Sequence, residues 1–220
     1  MNKFFSDKGS GAKHDIQIWI PNVSKNPGYY SLGDVGVDNY DDSPPNIFLI
    51  KGIDGDLAKP TGYSRVWKDT GSGAKDDFSF WKPTAPNGYK CLGHVGQKGY
   101  DEPSTDRIRC VKENYVRSGQ ASWLWNDKKS GAKKDVSLYE SLSKDDDKLG
   151  ISLNLFLSQD NYRDAEGEYL VLDRSRIKEG LFGRYETVNE NTAKTLAPNV
   201  YLHSNEEYFP GKIDVFLSNV

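Results

Sequence analysis

The tetrapeptide Ser-Gly-Ala-Lys occurs three times in the chain, and each copy stands between two aspartates. The copies begin at Ser10, Ser72 and Ser130, in the stretches DKGSGAKHD, DTGSGAKDD and DKKSGAKKD. The opening aspartates of these stretches are 62 and 58 residues apart. Self-similarity at a nearly fixed period is the signature of a repeat architecture. The sequence therefore predicts three structural copies within the 220 residues.

The similarity between copies extends well beyond the tetrapeptide. IWIPNVSKNPGYYSLGDVG (18–36) aligns with FWKPTAPNGYKCLGHVG (80–96), and NIFLIKG (46–52) aligns with RIRCVKE (107–113). The third copy keeps the opening stretch 124–139 and a later apolar segment, 168–174. We place the repeats at about 4–62, 63–120 and 121–175, which together form a domain over residues 1–175.

Apolar and polar residues alternate directly after each tetrapeptide. The apolar positions of this pattern are Ile16 and Ile18, Phe78 and Phe80, and Val136 and Leu138. A period of two indicates strands with one buried face, and short strands between Gly and Pro turns are typical of all-β folds. Three copies of about four strands each favour a pseudo-three-fold β-prism of three four-stranded sheets, since propellers usually have at least four blades.

The C-terminal part of the chain lacks this pattern and is predicted to be an irregular extension. Residues 176–198 are polar and without a clear period, which indicates a linker. Residues 199–220 are interpreted as the truncated start of a second domain, so the chain is expected to be part of a longer one.

Composition excludes several classes of function. With a net charge of -3 and 36% hydrophobic residues, the chain fits a soluble globular protein and not a nucleic-acid-binding one, which would neutralise phosphates with clustered Lys and Arg. No apolar run reaches the roughly 18 residues of a membrane span, and the N-terminus lacks the apolar region of a classical signal peptide. The compartment stays open between the cytoplasm and secretion by another route. Two cysteines, Cys91 and Cys110, are too few for a disulfide scaffold and are predicted to be a buried thiol pair.

Several segments resemble a known family. NPGYYSLGDV (26–35), PNGYKCLGHV (86–95), YDEPSTDRIRCV (100–111) and LAPNVYLHSNEEYFPGKIDVFLSN (196–219) are similar, in this order, to segments of the vacuolar protein sorting-associated "Vps sixty-two" family. The last segment departs from the family pattern at residues 211–214. In that family it opens a second domain. The predicted prism also resembles the domains that target perforin-like pore-forming toxins to membranes or glycans.

The repeated loops are similar to the sugar-binding loop of jacalin-type prism lectins, which carries a G-x-x-x-D motif. The matching residues are Gly11 and Asp15, Gly73 and Asp77, and Gly131 and Asp135. A glycine loop lets backbone N–H groups approach a ligand, and a carboxylate accepts hydrogen bonds from adjacent sugar hydroxyls. Phe5, Trp67 and Trp125, two residues before the first aspartates, are candidates to cover the apolar face of a sugar.

Two other interpretations of the loops stay open. A calcium site would use the first aspartates (Asp7, Asp69 and Asp127) together with the second aspartates (Asp15, Asp77 and Asp135) and loop carbonyls. A structural turn would use the first aspartates to cap backbone N–H groups, with the loop lysines paired to the second aspartates. Calcium is the one cofactor that the sequence suggests.

Enzyme motifs are absent from the sequence. His14, His94 and His203 share no repeat position, and the chain carries no nucleophile elbow, phosphate loop or zinc helix. We therefore predict a non-catalytic, lectin-like recognition module whose partner is a glycan or a membrane-surface receptor. The alternative is a calcium-binding interaction prism without sugar affinity. A weaker hypothesis makes the module an accessory to a hydrolase-like second domain.

Overall fold

The structure, a computed structural model, describes residues 2–24, 26–45, 47–52, 55–177 and 214–218. Two short 3-10 helices, Glu113–Tyr115 and Arg174–Arg176, are the only helices of the described residues. The strands are β1 Asn2–Ser6, β2 Gln17–Ile20, β3 Val35–Val37, β4 Ile47–Lys51, β5 Leu57–Ala58, β6 Gly62–Lys68, β7 Phe78–Thr84, β8 Tyr89–Lys90, β9 Val95–Lys98, β10 Cys110–Lys112, β11 Val116–Ser118, β12 Gln120–Asn126, β13 Ser137–Leu142, β14 Gly150–Ile151, β15 Phe156–Gln159, β16 Leu170–Asp173 and β17 Asp214–Ser218. The prediction of an all-β fold is confirmed.

Each repeat builds the same three-stranded antiparallel sheet, which we call its hairpin sheet. The hairpin sheets are β1-β2-β3, β6-β7-β9 and β12-β13-β15, and the Ser-Gly-Ala-Lys loop joins the first two strands of each. The first strand carries a bulge at the same place in every copy, as between Trp123 and Trp125 in the third. The predicted repeat is therefore also a repeat of strand pairing.

A smaller outer sheet accompanies each hairpin sheet. In the second repeat it is β5-β10-β8, in the third β11-β16-β14, and in the first β4 pairs with β17. Val111 pairs with both Lys90 and Leu57. The aligned Ile50 bridges Tyr30 and pairs with Val215 in the same antiparallel sense.

Strand β17 therefore holds, in the first repeat, the place that β5 and β11 hold in the other two. It comes from residues 199–220, which the sequence assigned to the start of a second domain, and it pairs with β4 of the first repeat. The rest of 199–220 and the linker beyond residue 177 lie outside the described residues.

The predicted four-stranded sheets are not found among the described residues, where every sheet has two or three strands. The segment between β3 and β4 contains Pro44 and Pro45, which have no N–H to donate to a strand ladder. The chain changes sheets at this point in every repeat, also in the third, where the segment 160–169 has no proline: β4, β10 and β16 pair in the outer sheets. The prism geometry as such stays a prediction.

Apolar side chains of all three hairpin sheets pack into one core cluster. The alternating apolar residues predicted to be buried are all 0% exposed in it: Ile16, Ile18, Phe78, Phe80, Val136 and Leu138. Phe156 of β15 belongs to the same cluster. The period-two pattern thus identified the inner faces of these strands correctly.

The three repeats also meet through main-chain hydrogen bonds, in what we call the axial ring. Asp34 N donates to His94 O at 3.0 Å, His94 N to Phe156 O at 2.9 Å, and Phe156 N to Asp34 O at 3.2 Å. A Cβ atom on Gly33 would lie 2.7 Å from the Cα atom of Gly93, so this close approach requires glycine. The ring joins one residue of each repeat to the next.

The two cysteines form a disulfide bond, so the prediction of a buried thiol pair is wrong. Cys91 directly follows β8 and Cys110 begins β10, and these neighbouring strands pair through Lys90 and Val111. Strand pairing thus places the two sulfur atoms side by side in the outer sheet of the second repeat.

Candidate functional site

The first aspartates are buried supports of the Ser-Gly-Ala-Lys loops. In the third repeat Asp127 is 2% exposed, and its Oδ1 accepts a hydrogen bond from Val136 N at 2.9 Å. Ser130 Oγ donates to Oδ2 of the same carboxylate at 3.3 Å, and Ser130 Oγ accepts from Ala132 N at 3.1 Å. Asp7 and Asp69 accept the equivalent backbone bonds at 2.9 and 3.0 Å. The capping role predicted for these aspartates agrees with this geometry.

A tyrosine that the sequence interpretation missed completes each loop. The hydroxyls of Tyr40, Tyr100 and Tyr162 donate to Oδ1 of the first aspartates at 2.6, 2.9 and 2.7 Å. Tyr100 Oη also lies 3.0 Å from Oδ1 of Asp77. The tyrosines lie in the similar stretches DNYDD, KGYDE and DNYRD. This similarity is the sequence signal that could have identified them as part of the repeated site.

Burial and the paired carboxylates shift the ionisation of these groups. Burial is the main cause that raises the pKa of each first aspartate, against the lowering effect of the hydrogen bonds that it accepts. Burial and the neighbouring aspartates raise the pKa of Tyr100 to about 12 and shift Tyr40 and Tyr162 in the same direction. Each tyrosine therefore keeps its proton and shares it with a carboxylate.

The second aspartates and the loop glycines face solvent. Asp15, Asp77 and Asp135 are exposed in all three copies. Gly11, Gly73 and Gly131 have φ values of +76°, +72° and +79°, which L side chains adopt only with strain. The glycine of each G-x-x-x-D motif thus sets the loop conformation, and the aspartate is its accessible acid.

The aromatic residues predicted to cover a sugar are buried instead. Phe5, Trp67 and Trp125 are 6%, 4% and 1% exposed. Trp67 Nε1 donates to Lys134 O, and Trp125 Nε1 donates to His14 O, both at 2.7 Å. This placement contradicts a direct role in ligand contact, since the two tryptophans hold the loop of a neighbouring repeat against the core.

A different tryptophan is exposed beside one of the loops. Trp123, on β12, is 47% exposed, and its ring centroid lies 5.3 Å from that of His14, the residue before Asp15. The equivalent strand positions in the other repeats are Arg65 and Lys3, because these residues pair with Trp81 and Trp19 as Trp123 pairs with Tyr139. Only the first loop therefore has an exposed aromatic neighbour of this kind among the described residues.

The calcium shell predicted at the loops, two carboxylates with loop carbonyls, stays a prediction. No group of three or more His, Cys, Asp or Glu side chains that could hold a metal ion occurs in the described part of the chain. In the second repeat the Tyr100 hydroxyl stands between the two carboxylates and already relieves their repulsion. The ion pairs found among the described residues also do not join the loop lysines to the second aspartates.

Comparison with known proteins places the chain in a family. The family model of vacuolar protein sorting-associated protein 62 matches residues 35–220. The chain belongs to this family. Its fold is similar to the crystal structure of GNIP1Aa from Chromobacterium piscinae, with 27% sequence identity and a TM-score of 0.64. That match covers 90% of this chain and 38% of GNIP1Aa, and no curated protein matches the chain.

Family membership and the β-rich neighbour fit a recognition or targeting module. The family predicted from the sequence segments is thereby confirmed. Among the described residues, no helix combines the length and apolar character needed to cross a membrane.

Proposed function

We propose that this protein is a non-catalytic, lectin-like recognition module, built as a pseudo-three-fold β-prism, that binds carbohydrate on a glycan-bearing or membrane surface. The observation that carries the proposal is the exposed carboxylate of the second aspartate, presented in the same way by three loops with buried supports. A carboxylate accepts charge-assisted hydrogen bonds from two adjacent sugar hydroxyls.

The buried supports make these loops suitable for binding. Each first aspartate fixes the strand after the loop, and its tyrosine fixes the carboxylate in turn. A loop that is already ordered loses little conformational entropy when it binds a ligand. The glycines adopt their positive φ without the strain that an L side chain would bring there, which keeps the turn in one conformation.

The first loop offers the most complete carbohydrate site. It combines the exposed Asp15 with the exposed ring of Trp123, which packs on His14. A tryptophan face suits the apolar face of a sugar ring, while its neighbours supply polar contacts. The loops of the second and third repeats would add weaker contacts, and several contacts on one surface raise the overall avidity.

The disulfide supports a role at a surface outside a reducing compartment. Such bonds persist in oxidising environments and are rare in the cytosol. A module that recognises surface glycans would meet its ligand in that environment.

A glycan array tests the proposed function. Wild-type protein is expected to bind a set of glycans, and Trp123→Ala together with Asp15→Ala should weaken binding by about tenfold or more, since these residues form the main site. Asp77→Ala and Asp135→Ala should each reduce binding less, through avidity alone. The matched control is Lys148→Ala, an exposed substitution. Wild-type protein that binds no glycan on the array would sink the proposal.

A further inference from the structure

A groove of about 890 Å³ lies between the second and third repeats, and none of the residues of the three Ser-Gly-Ala-Lys loops lines it. One wall comes from β6, β7 and the segment 90–94, and the other from β15 and the segment 160–170. Its volume falls in the range of roughly 300–1,000 Å³ typical of small-molecule sites. The groove is therefore large enough for several sugar rings.

The floor of the groove carries a buried histidine in a fixed tautomer. His94 is 6% exposed, and its Nδ1 accepts a hydrogen bond from Ser158 N at 2.9 Å. A backbone N–H can only donate, so Nδ1 is unprotonated and Nε2 carries the ring proton. Burial lowers the pKa of His94 to about 3, with the nearby Lys82 acting in the same direction, so the ring is neutral at physiological pH.

The Nε2–H group of His94 is a donor without an acceptor among the described residues. Hydrogen bonds are found only at Nδ1, from the backbone N–H and the hydroxyl of Ser158. Nε2 is not one of the side-chain atoms that are buried without a partner, so this donor is open to the groove and to solvent. A ligand oxygen in the groove would satisfy this donor.

Charges of both signs line the walls in equal number. Arg65, Lys82 and Lys90 stand against Asp160, Glu166 and Glu168, and the Lys90–Glu168 ion pair of 2.8 Å joins the two walls. The balance does not favour an anionic or a cationic ligand. A neutral ligand rich in hydroxyl groups can pair with donors and acceptors alike, and the half-buried Tyr169 ring adds an apolar surface.

We propose that this groove binds a neutral, linear oligosaccharide, with Nε2–H of His94 donating to a sugar oxygen at its floor and Tyr169 contacting a ring face. The inference rests on the proposed carbohydrate function and assigns it a second, single site. The site is single because the residues equivalent to His94 are Asp34, which pairs with Arg107, and Phe156, which lies in the core.

Titration calorimetry with cello-, chito-, malto- and manno-tetraose tests the groove. At least one of these neutral probes is expected to bind wild-type protein, and Tyr169→Ala and Lys82→Ala should each weaken that binding by about tenfold. Tyr169→Phe should retain it, since the ring is kept. Lys148→Ala serves as the matched lysine control, and the melting temperature of each variant reports its folding.

Two further measurements separate this proposal from the proposed function. The Trp123→Ala, Asp15→Ala variant should keep its calorimetric affinity for the tetraose that binds the groove. If instead this variant loses that affinity and the groove variants keep it, the groove proposal is overturned and the loop site stands.

The second measurement is an NMR titration of ¹⁵N-labelled wild-type protein with the tetraose. Changes in amide chemical shift are expected at Ser158 and Gln159. Changes confined to residues 10–15 would overturn the groove proposal even where variants fail to fold. If wild-type protein binds none of the tetraoses, the groove proposal is wrong. The glycan array tests the loop site independently of this result.

Discussion

The loops and the axial ring of this protein are both repeated three times, but their side chains behave differently. At the loops, every repeat has the same aspartate, glycine and tyrosine, with the same hydrogen bonds. At the axial ring the backbone bonds are also the same, yet the residues are Asp34, His94 and Phe156. The repeats thus have the same residues at the loops, where side chains hold the backbone by hydrogen bonds. They have different residues at the axial ring, where the backbone groups bond to one another.

The variation at the ring gives each repeat interface its own chemistry. The Asp34 carboxylate accepts from Gly96 N at 2.8 Å, and the His94 ring accepts from Ser158 N at 2.9 Å. These bonds are equivalent, since Gly96 and Ser158 hold the same place in their hairpin sheets. One geometry therefore supports a buried ion pair at one interface and a groove with a neutral donor at another.

Asp34→Ala is expected to have the largest effect on stability. It would leave Arg107 without its buried partner, which lies 2.5 Å away, and Gly96 N–H without an acceptor. Removing one member of a buried ion pair costs about 3–5 kcal/mol. Urea unfolding should show this loss, and a loss below about 1 kcal/mol would contradict a structural role for the ion pair. Asp34→Asn, which keeps an acceptor for Gly96 N–H, should lose less.

Removal of the disulfide extends the comparison to the outer sheets, because only the second repeat has one. The bond closes a sequence separation of 19 residues. A loop of that length corresponds to about 3 kcal/mol of stability in the chain-entropy model. Replacing both Cys91 and Cys110 by Ala should lower the free energy of unfolding by this amount. Reductant should destabilise wild-type protein and leave the double variant unchanged; equal responses would argue against the bond.

The two aspartates of one loop should differ sharply when they are replaced. Asp127→Ala leaves Val136 N–H and the Tyr162 hydroxyl without their acceptor, at a cost of about 2–3 kcal/mol. Asp135→Ala removes an exposed side chain and should stay within about 0.5 kcal/mol. Chemical unfolding of both variants checks this. Asp7→Ala and Asp69→Ala should lower the free energy of unfolding by the same amount as Asp127→Ala. A large difference among the three values would contradict an equivalent role of the first aspartate in every loop.

The two titratable residues of the ring should respond to acid in opposite directions. Burial raises the pKa of Asp34 to about 6, so the folded state binds a proton before the unfolded state does, and this group adds stability as the pH falls from 6 towards 4. The pKa of His94 is lowered to about 3, so its contribution is complete above the unfolded value of 6.5 and is lost as the pH falls below it.

Each of these groups should contribute about 1 kcal/mol per pH unit within its window. Unfolding between pH 7 and pH 5 should therefore show that Asp34→Asn makes acid more destabilising, while His94→Asn makes it less so. A pH profile that shifts in the same direction in both variants would contradict the opposite pKa shifts of Asp34 and His94.

The smallest expected effect is that of metal removal. A ligand that binds only the folded state raises the melting temperature, so a calcium-stabilised loop would melt earlier in EDTA. Because the tyrosine hydroxyls hold the first aspartates, we expect no change on adding EDTA or calcium. A calcium-dependent rise in melting temperature would restore the metal interpretation of the loops.

The β-strands and their buried faces could be predicted from the sequence. The apolar residues Ile16 and Ile18, and their counterparts in the other two repeats, alternate with polar residues, and this pattern indicates a strand with one buried face. The sequence does not reveal which aromatic residue faces outward. Residues two apart on a regular strand share a face, so Trp123 and Trp125 would point the same way, but the bulge between them exposes one and buries the other. The tyrosines were missed because they reach the loops from 31 to 35 residues away.

The hydrogen bonds of the axial ring restrict how a chain of this kind can change in length. Each repeat gives one N–H to the ring and accepts one, and the third repeat returns the bond to the first. Deletion of a single repeat would leave one backbone N–H and one carbonyl oxygen of the ring without a hydrogen-bond partner in the interior, each at a cost of about 1–3 kcal/mol. Insertion of a fourth repeat would break one of the three hydrogen bonds of the axial ring. Such a protein can therefore grow or shrink readily at its surface loops, while whole repeats can be added or removed only if the centre of the molecule is rebuilt.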